Sequence, residues 1–272
     1  MDGPGSSPLT TRLDVEYDGT AFAGWARQPG CRTVEEVLQS ALNRLMPARP
    51  PVGLVVAGRT DSGVHASGQV CSYRGPAVPL KGLNAVLPAD VSVRAVRTYP
   101  EGFDARHDAL SRSYRFRILT RRARSAHERG RALHHPTPLD RAALDACAAA
   151  IPGTHDFRAF TPTDTAHERF RRTMMSAAWV EEGPDLLVFA IEGRSFLRHM
   201  NRVLVGTMLE VARGRSTPEA FAALLEGAPR SAAGATAAPH GLWLTGVRYP
   251  GDPPAPSPTS GPPSGTEVGL GG

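Results

Sequence analysis

GLVVAGRTDSGVHASGQVCSYRG, residues 53–75, is a pair of short apolar runs around a polar, glycine-rich loop. Leu54, Val55 and Val56 before the loop, and Val70, Cys71 and Tyr73 after it, have the β-branched and aromatic character of strands. Gly58, Gly63 and Gly68 let the chain turn between them and approach a ligand closely. Strands that clamp such a loop make the segment part of a sheet with a polar end.

Outward from this loop, strands and helices mix. Residues 11–19 (TRLDVEYDG) alternate apolar and polar, and 34–45 carry apolar residues at helical spacing, with Thr33 and Glu36 placed as a capping box. LKGLNAVLP (80–88) reads as a short helix and VSVRAVRTY (91–99) as a strand. SYRFRIL (113–119) is a further strand, followed by a helix from Leu139 with Thr137 as cap and Pro138 in its first turn. TMMSAAWVEE and DLLVFAIEG form a hairpin around Gly183-Pro184. A long helix is expected over 196–213, closed by Gly214 at C′, then a helix opened by Thr217-Pro218 and a last strand, GLWLTGVRY (241–249). Several hairpins among helices indicate α+β with a mostly antiparallel sheet. The outline repeats, which predicts a half at 11–108 carrying the glycine loop and a second at 109–249. Residues 1–10 and the Pro/Gly/Ser-rich 250–272 read as disordered tails.

The chain has 272 residues, 41% of them hydrophobic, which is enough for a buried core. Its longest apolar run, LLVFAI at 186–191, is far below the ~20 residues of a membrane span, and MDGPGSSPLTTR has no signal-peptide core. Three scattered cysteines without a CxxC argue against a disulfide framework or metal cluster and for a reduced, cytoplasmic setting. The formal charge is +5, and of 31 basic residues only Lys81 is lysine. Compositional bias explains the preference for arginine but not its clustering: residues 112–131 hold eight arginines and one glutamate. Guanidinium forks suit phosphates, so a polyanionic partner is expected, against the plainer reading of a solvated charged face.

Within the loop, glycines spaced by five match neither GxGxxG nor GxxxxGK[ST], and there is no lysine. Asp61 and His65 lack a third metal ligand, and the two AHER tetrapeptides (126–129, 166–169) lack the second histidine of HExxH. Ser62 has no nucleophile-elbow context. Asp61 remains, either as an Asx-turn residue or as a functional carboxylate. Arg59, two residues before it, would favour its ionised form, available as nucleophile or base.

AGRTDSGVHASGQV (57–70) closely resembles the signature of the tRNA pseudouridine synthase A (TruA) family, typically GRTDAGVHA. The resemblance continues through VEYDGTAFAGWARQP (15–29), LNAVLPADVSVRAV (83–96), FDARHDALSRSYRFRI (103–118), HDFRAF (155–160), RRTM (171–174), FLRHMNRVLVGTMLEV (196–211) and APHGLWLTGVRY (238–249). It implies an enzyme that turns uridine into pseudouridine at positions 38, 39 and 40 of the tRNA anticodon arm, without cofactor, metal or nucleotide. It implies the pseudouridine synthase fold: two RRM-like (ferredoxin-like) halves in a continuous, mostly antiparallel sheet flanked by helices. It also implies a homodimer with tRNA lying across both subunits.

By the same resemblance Asp61 is the essential catalytic group. Tyr114 packs on the target base and Arg202 is the basic partner of Asp61. Arg59 is a second partner or an RNA-backbone contact. Arg106, Arg112 and Arg115 fall among the RNA-contacting arginines, and His65 is mainly structural, with RNA contact as its alternative. The sequence departs from the family at Ser62, at Asn201 and Val203 around Arg202, and at His107 and Asp108.

Overall fold

The computed structural model describes residues 9–100 and 102–253. The expected tails at 1–8 and 254–272 lie outside the described residues. The strands are β1 (Thr10–Tyr17), β2 (Val55–Val56), β3 (His65–Arg74), β4 (Val91–Tyr99), β5 (Ser111–Leu119), β6 (Leu133–His134), β7 (Gly153–Asp156), β8 (Arg171–Glu181), β9 (Leu186–Gly193) and β10 (Leu242–Arg248). The helices are α1 (Val34–Leu45), α2 (Leu80–Val86), α3 (Arg141–Ala149), α4 (Met200–Ala212) and α5 (Pro218–Leu224). Among the described residues no helix is long and apolar enough to cross a membrane.

All ten strands join one sheet, in the order β4-β1-β3-β10-β5-β9-β8-β7, with β2 beside β3 and β6 beside β5. The architecture is the expected α+β, and pairing is antiparallel except at β3/β10 and β5/β6. The last strand, β10, therefore sits in the middle, between β3 and β5. One apolar core runs from Leu13 and Leu38 through Phe116 to Phe189, Val203 and Leu244. β1 starts at Thr10, inside the segment expected to be a tail, and Thr10 is buried.

Local chemistry accounts for the helix ends. Thr33 Oγ1 accepts from the Glu36 amide, but Glu35, not Glu36, reaches back, accepting from the Arg27 amide at 2.8 Å. Thr217 caps α5 with Pro218 in its first turn, as expected. The C-terminus of α4 is a Schellman turn: Gly214 (φ 71°) donates to Val211 O and Arg215 to Glu210 O.

Two helix starts differ from the sequence expectation. α3 begins at Arg141 and is capped by Asp140, whose Oδ1 accepts from Ala143 N at 3.1 Å, so Thr137-Pro138 lies upstream of it. A carboxylate is the stronger cap, and Ala212 O anchors the Asp140 amide. α4 begins at Met200 instead of 196, because His199 adopts φ 60°, ψ 0°. It is the one non-glycine with positive φ among the described residues, at a cost of roughly 1–2 kcal/mol. Phe196 is thereby released from the helix and packs edge-on to Tyr114, with ring centroids 4.9 Å apart.

The chain between α5 and β10 lies directly on α4. A Cβ at Gly206 would sit 1.8 Å from Ala235 O, so only glycine allows this approach. Gly206→Ala is expected to cost about 1–3 kcal/mol. At about 2–4 °C per kcal/mol for a chain of this size, thermal unfolding should shift down by several degrees; an unchanged Tm would mean that the strap moves aside freely.

Candidate active site

The loop 57–64 between β2 and β3 is held from all sides. Ala57 N donates to Val70 O, Gly58 O accepts from Gln69 Nε2 at 2.8 Å, and Trp25 N donates to Thr60 O at 3.0 Å. Thr60 Oγ1 lies 2.7 Å from Tyr17 OH, which also accepts from Gln69 Nε2. Burial pushes the Tyr17 phenol up to about 12, so this network stays neutral across ordinary pH. Ser62 Oγ and Gly63 N both donate to Phe22 O, and Gly63 turns with φ 75° against Pro239. These bonds tie the loop to β3, to the chain before α1 and to the strap before β10, so the side chain at 61 is presented on a braced frame.

Asp61 projects from this frame with its side chain about one quarter exposed (26%). Arg202, in the first turn of α4, donates Nη1–H to Asp61 Oδ2 at 3.2 Å. Arg202 is itself fixed: its Nε donates to Ala237 O at 2.8 Å, and Ala237 N donates to Arg202 O. A second group reaches the same oxygen, His199 Nε2 at 3.6 Å. Among the described residues no hydrogen bond reaches Asp61 Oδ1. The carboxylate thus has one oxygen held by the protein and one left without a partner among the described residues.

Tyr114 lies on β5, buried, with its hydroxyl against the loop: a Cβ on Gly58 would be 3.4 Å from it. Burial, with the neighbouring Tyr17 and Asp61 charges adding to it and Arg112 opposing, raises its phenol well above the usual range. It is a protonated hydroxyl whose oxygen makes no hydrogen bond among the described residues. The structure therefore brings together Asp61, Arg202 and Tyr114, as the sequence led us to expect.

It does not bring Arg59 to Asp61. Arg59 is exposed and forms no ion pair among the described residues, and His199 occupies the place of the second basic neighbour. Asp61 turns in toward Arg202 while Arg59 turns out to solvent. Arg106 is likewise exposed.

The other expected RNA-binding residues have structural work. Arg112 is buried, and its guanidinium donates to the carbonyls of Ala57, Arg106, Ala109 and Arg194. Two of these bonds, 3.0 and 2.8 Å, end on Ala57 O at the mouth of the 57–64 loop, so Arg112 is a brace and not an RNA contact. Arg115 ion-pairs with Glu182, and Arg117 with Glu128 at 2.8 Å. His65 has no exposed surface: Nδ1 accepts from Gly19 N, Nε2 donates to Gly130 O at 2.8 Å, and the ring stacks on Trp243. Burial holds its pKa below the usual histidine value. Its RNA-contact alternative is closed, and it docks the end of the 121–131 segment beside the 57–64 loop.

Sequence reasoning missed His199, Phe196 and the bracing role of Arg112. His199 lies only three residues before Arg202, a nearness visible in the sequence, but it is the left-handed turn that aims it at Asp61.

A carboxylate with one oxygen held by Arg202 and the other without a hydrogen bond among the described residues, close to a buried phenol, is an arrangement open to acid–base or nucleophilic chemistry. A family model described as tRNA pseudouridine synthase matches residues 147–250. The chain is 41% identical over 252 residues to tRNA pseudouridine synthase A of Myxococcus xanthus, covering 91% of this chain and 94% of that protein. It is 43% identical over 246 residues to the protein of that name from Methylobacterium nodulans (88% and 95% covered). It is 44% identical over 249 residues to that from Frankia casuarinae (89% and 90% covered). The chain belongs to the tRNA pseudouridine synthase A family. A chain from the crystal structure of a Cbf5-Nop10-Gar1 complex superposes with a TM-score of 0.36 at 11% identity, over 86% of this chain and 58% of that one, too loosely to carry an argument.

Asn201, one of the departures from the family pattern, is buried in α4, and its Oδ1 finds no donor among the described residues. An unsatisfied buried acceptor costs about 1–3 kcal/mol. Asn201→Leu should therefore raise the melting temperature by a few degrees, measured calorimetrically; a fall would show that the amide is satisfied.

Proposed function

We propose that this protein isomerises uridine to pseudouridine at positions 38, 39 and 40 of the tRNA anticodon arm, with Asp61 as the essential carboxylate. The observation that supports this reading most is the one-sided hold on Asp61: Arg202 takes Oδ2, and Oδ1 is left for the substrate. The reaction breaks the N1–C1′ bond, turns the uracil and joins C5 to C1′; C5 loses a proton and N1 gains one. In this reading Oδ1 faces the ribose whether it attacks C1′ or takes the C2′ proton, and Arg202 holds the carboxylate in place for either route. The buried, protonated Tyr114 supplies an aromatic face for a flipped base and a hydroxyl for the proton balance.

The target base sits inside a paired stem or a stacked loop, so RNA must be gripped by its backbone while the base is drawn out. Arg122, Arg124 and Arg129 suit that task, being exposed and unpaired among the described residues, on the segment that His65 and Trp243 dock beside the catalytic loop. Arg59 and Arg106 extend this surface. In this reading two copies of the chain work together in the cytoplasm, with residues 11–108 and 109–249 as the two halves of each.

Unmodified tRNA incubated with the protein, without metal or cofactor, should gain pseudouridine in the anticodon arm, and Asp61→Ala should abolish the product. Product elsewhere in the tRNA would overturn the site assignment, and an active Asp61→Ala the catalytic one. Removing Arg122, Arg124 and Arg129 together should reduce the slope of log binding constant against log salt by about 2, at roughly 0.7–0.9 per phosphate contact. Arg112→Met should instead lower Tm and leave that slope unchanged.

A further inference from the structure

His199 stands where a strained backbone and the reactive carboxylate meet. Its left-handed turn closes the N-terminus of α4, and its carbonyl accepts from the amides of Arg202 and Val203, both at 3.0 Å. The same turn sets its Nε2 3.6 Å from Asp61 Oδ2, slightly beyond hydrogen-bond length, next to Arg202 Nη1 at 3.2 Å on the same oxygen. Asparagine fits a left-handed turn better than histidine, so conformation alone does not explain an imidazole here.

We propose that His199 is a positioning residue for Asp61: its neutral imidazole donates Nε2–H to Oδ2 as the site closes on the ribose, sharing that oxygen with Arg202 so that Oδ1 alone meets the substrate. The inference rests on Asp61 being the essential carboxylate. Hydrogen bonds of this kind commonly shorten when substrate is bound. With two donors on Oδ2 the carboxylate plane is fixed; with Arg202 alone it can swing about a single contact.

The charged groups around the ring are Asp61 from the catalytic loop, Arg202 from its own helix, Arg198 from the preceding turn and Asp164 from the chain between β7 and β8. Arg198 and Asp164 pair with each other at 3.3 Å. Burial is the largest influence and lowers the histidine, Asp61 opposes it, and the two arginines reinforce it. The ring is therefore neutral at pH 7 and gains a proton only below the usual histidine range. An imidazolium would place a second full positive charge at Oδ2 and weaken the carboxylate as nucleophile or base. Activity should then fall in acid as His199 protonates.

The test compares wild type, His199→Asn, His199→Gln and Asp61→Ala by pseudouridine formation on unmodified tRNA from about pH 5 to 8.5, with Tm measured in parallel. Asn keeps the left-handed turn but does not reach Oδ2, whereas Gln carries an amide N–H close to the position of Nε2. His199→Asn should melt at or above the wild-type temperature yet lose about 10- to 100-fold in kcat with little change in KM, the scale of a misplaced reacting group. His199→Gln should recover much of that loss, and the acid limb of the wild-type profile should vanish in both variants. Wild-type kcat in His199→Asn, no recovery in His199→Gln, a persistent acid limb, or a loss that tracks a lowered Tm would each overturn the proposal. An inactive wild type or an active Asp61→Ala would instead remove the reading of Asp61 on which it rests.

Discussion

The ion pair between Asp61 and Arg202 joins groups 141 residues apart, and the fold is arranged so that they meet. Both are partly buried, and the cost of taking them out of water offsets much of their attraction. What matters is position. The strap before β10 contacts both partners' surroundings: Ala235 lies on Gly206 of α4, Ala237 exchanges two hydrogen bonds with Arg202, and Pro239 packs on Gly63 of the loop that carries Asp61. The chain then enters the sheet as β10, parallel to β3 where that strand leaves the loop. One segment therefore sets the distance between carboxylate and guanidinium, and glycine at 63 and 206 lets it come close enough.

The arginines show how little residue type says about role. All belong to one compositional bias, yet Arg202 meets a carboxylate in the site, and Arg112 is buried among carbonyls as a brace for the loop. Arg115 and Arg117 close ion pairs along β5. The difference lies in strand alternation and burial. A buried guanidinium must satisfy its donors within the protein, and backbone carbonyls at an irregular junction supply the acceptors. Such a residue leaves no donors for RNA, whatever cluster it occupies in the sequence.

Much of the fold was legible because local signals suffice for it. Alternating residues marked the long strands, and Thr33 and Thr217 marked the starts of α1 and α5. Gly214 marked the end of α4. The start of α4 was not legible, since Phe196 and Leu197 continue the helical apolar pattern and nothing local announces the left-handed turn at His199. Asp140 was a better cap than Thr137, but the choice was made by the anchor at Ala212 O, a long-range contact. Asp61, Tyr114 and Arg202 were found through the resemblance of their motifs, while spacing alone left Asp61 between a turn residue and a catalytic one.

By itself, the sequence determined the α+β class, the glycine loop and the residue types available for chemistry, because periodicity and turn propensity act over a few neighbours. Only the tertiary structure decided which of those residues share a point in space. It placed β10 at the centre of the sheet, turned Arg59 outward, drew Arg112 inward and brought His199 to the oxygen of Asp61 that Arg202 already holds. The physical reason is that convergence on one carboxylate depends on strand order, strap packing and the satisfaction of buried donors. None of these is written in any single stretch of chain.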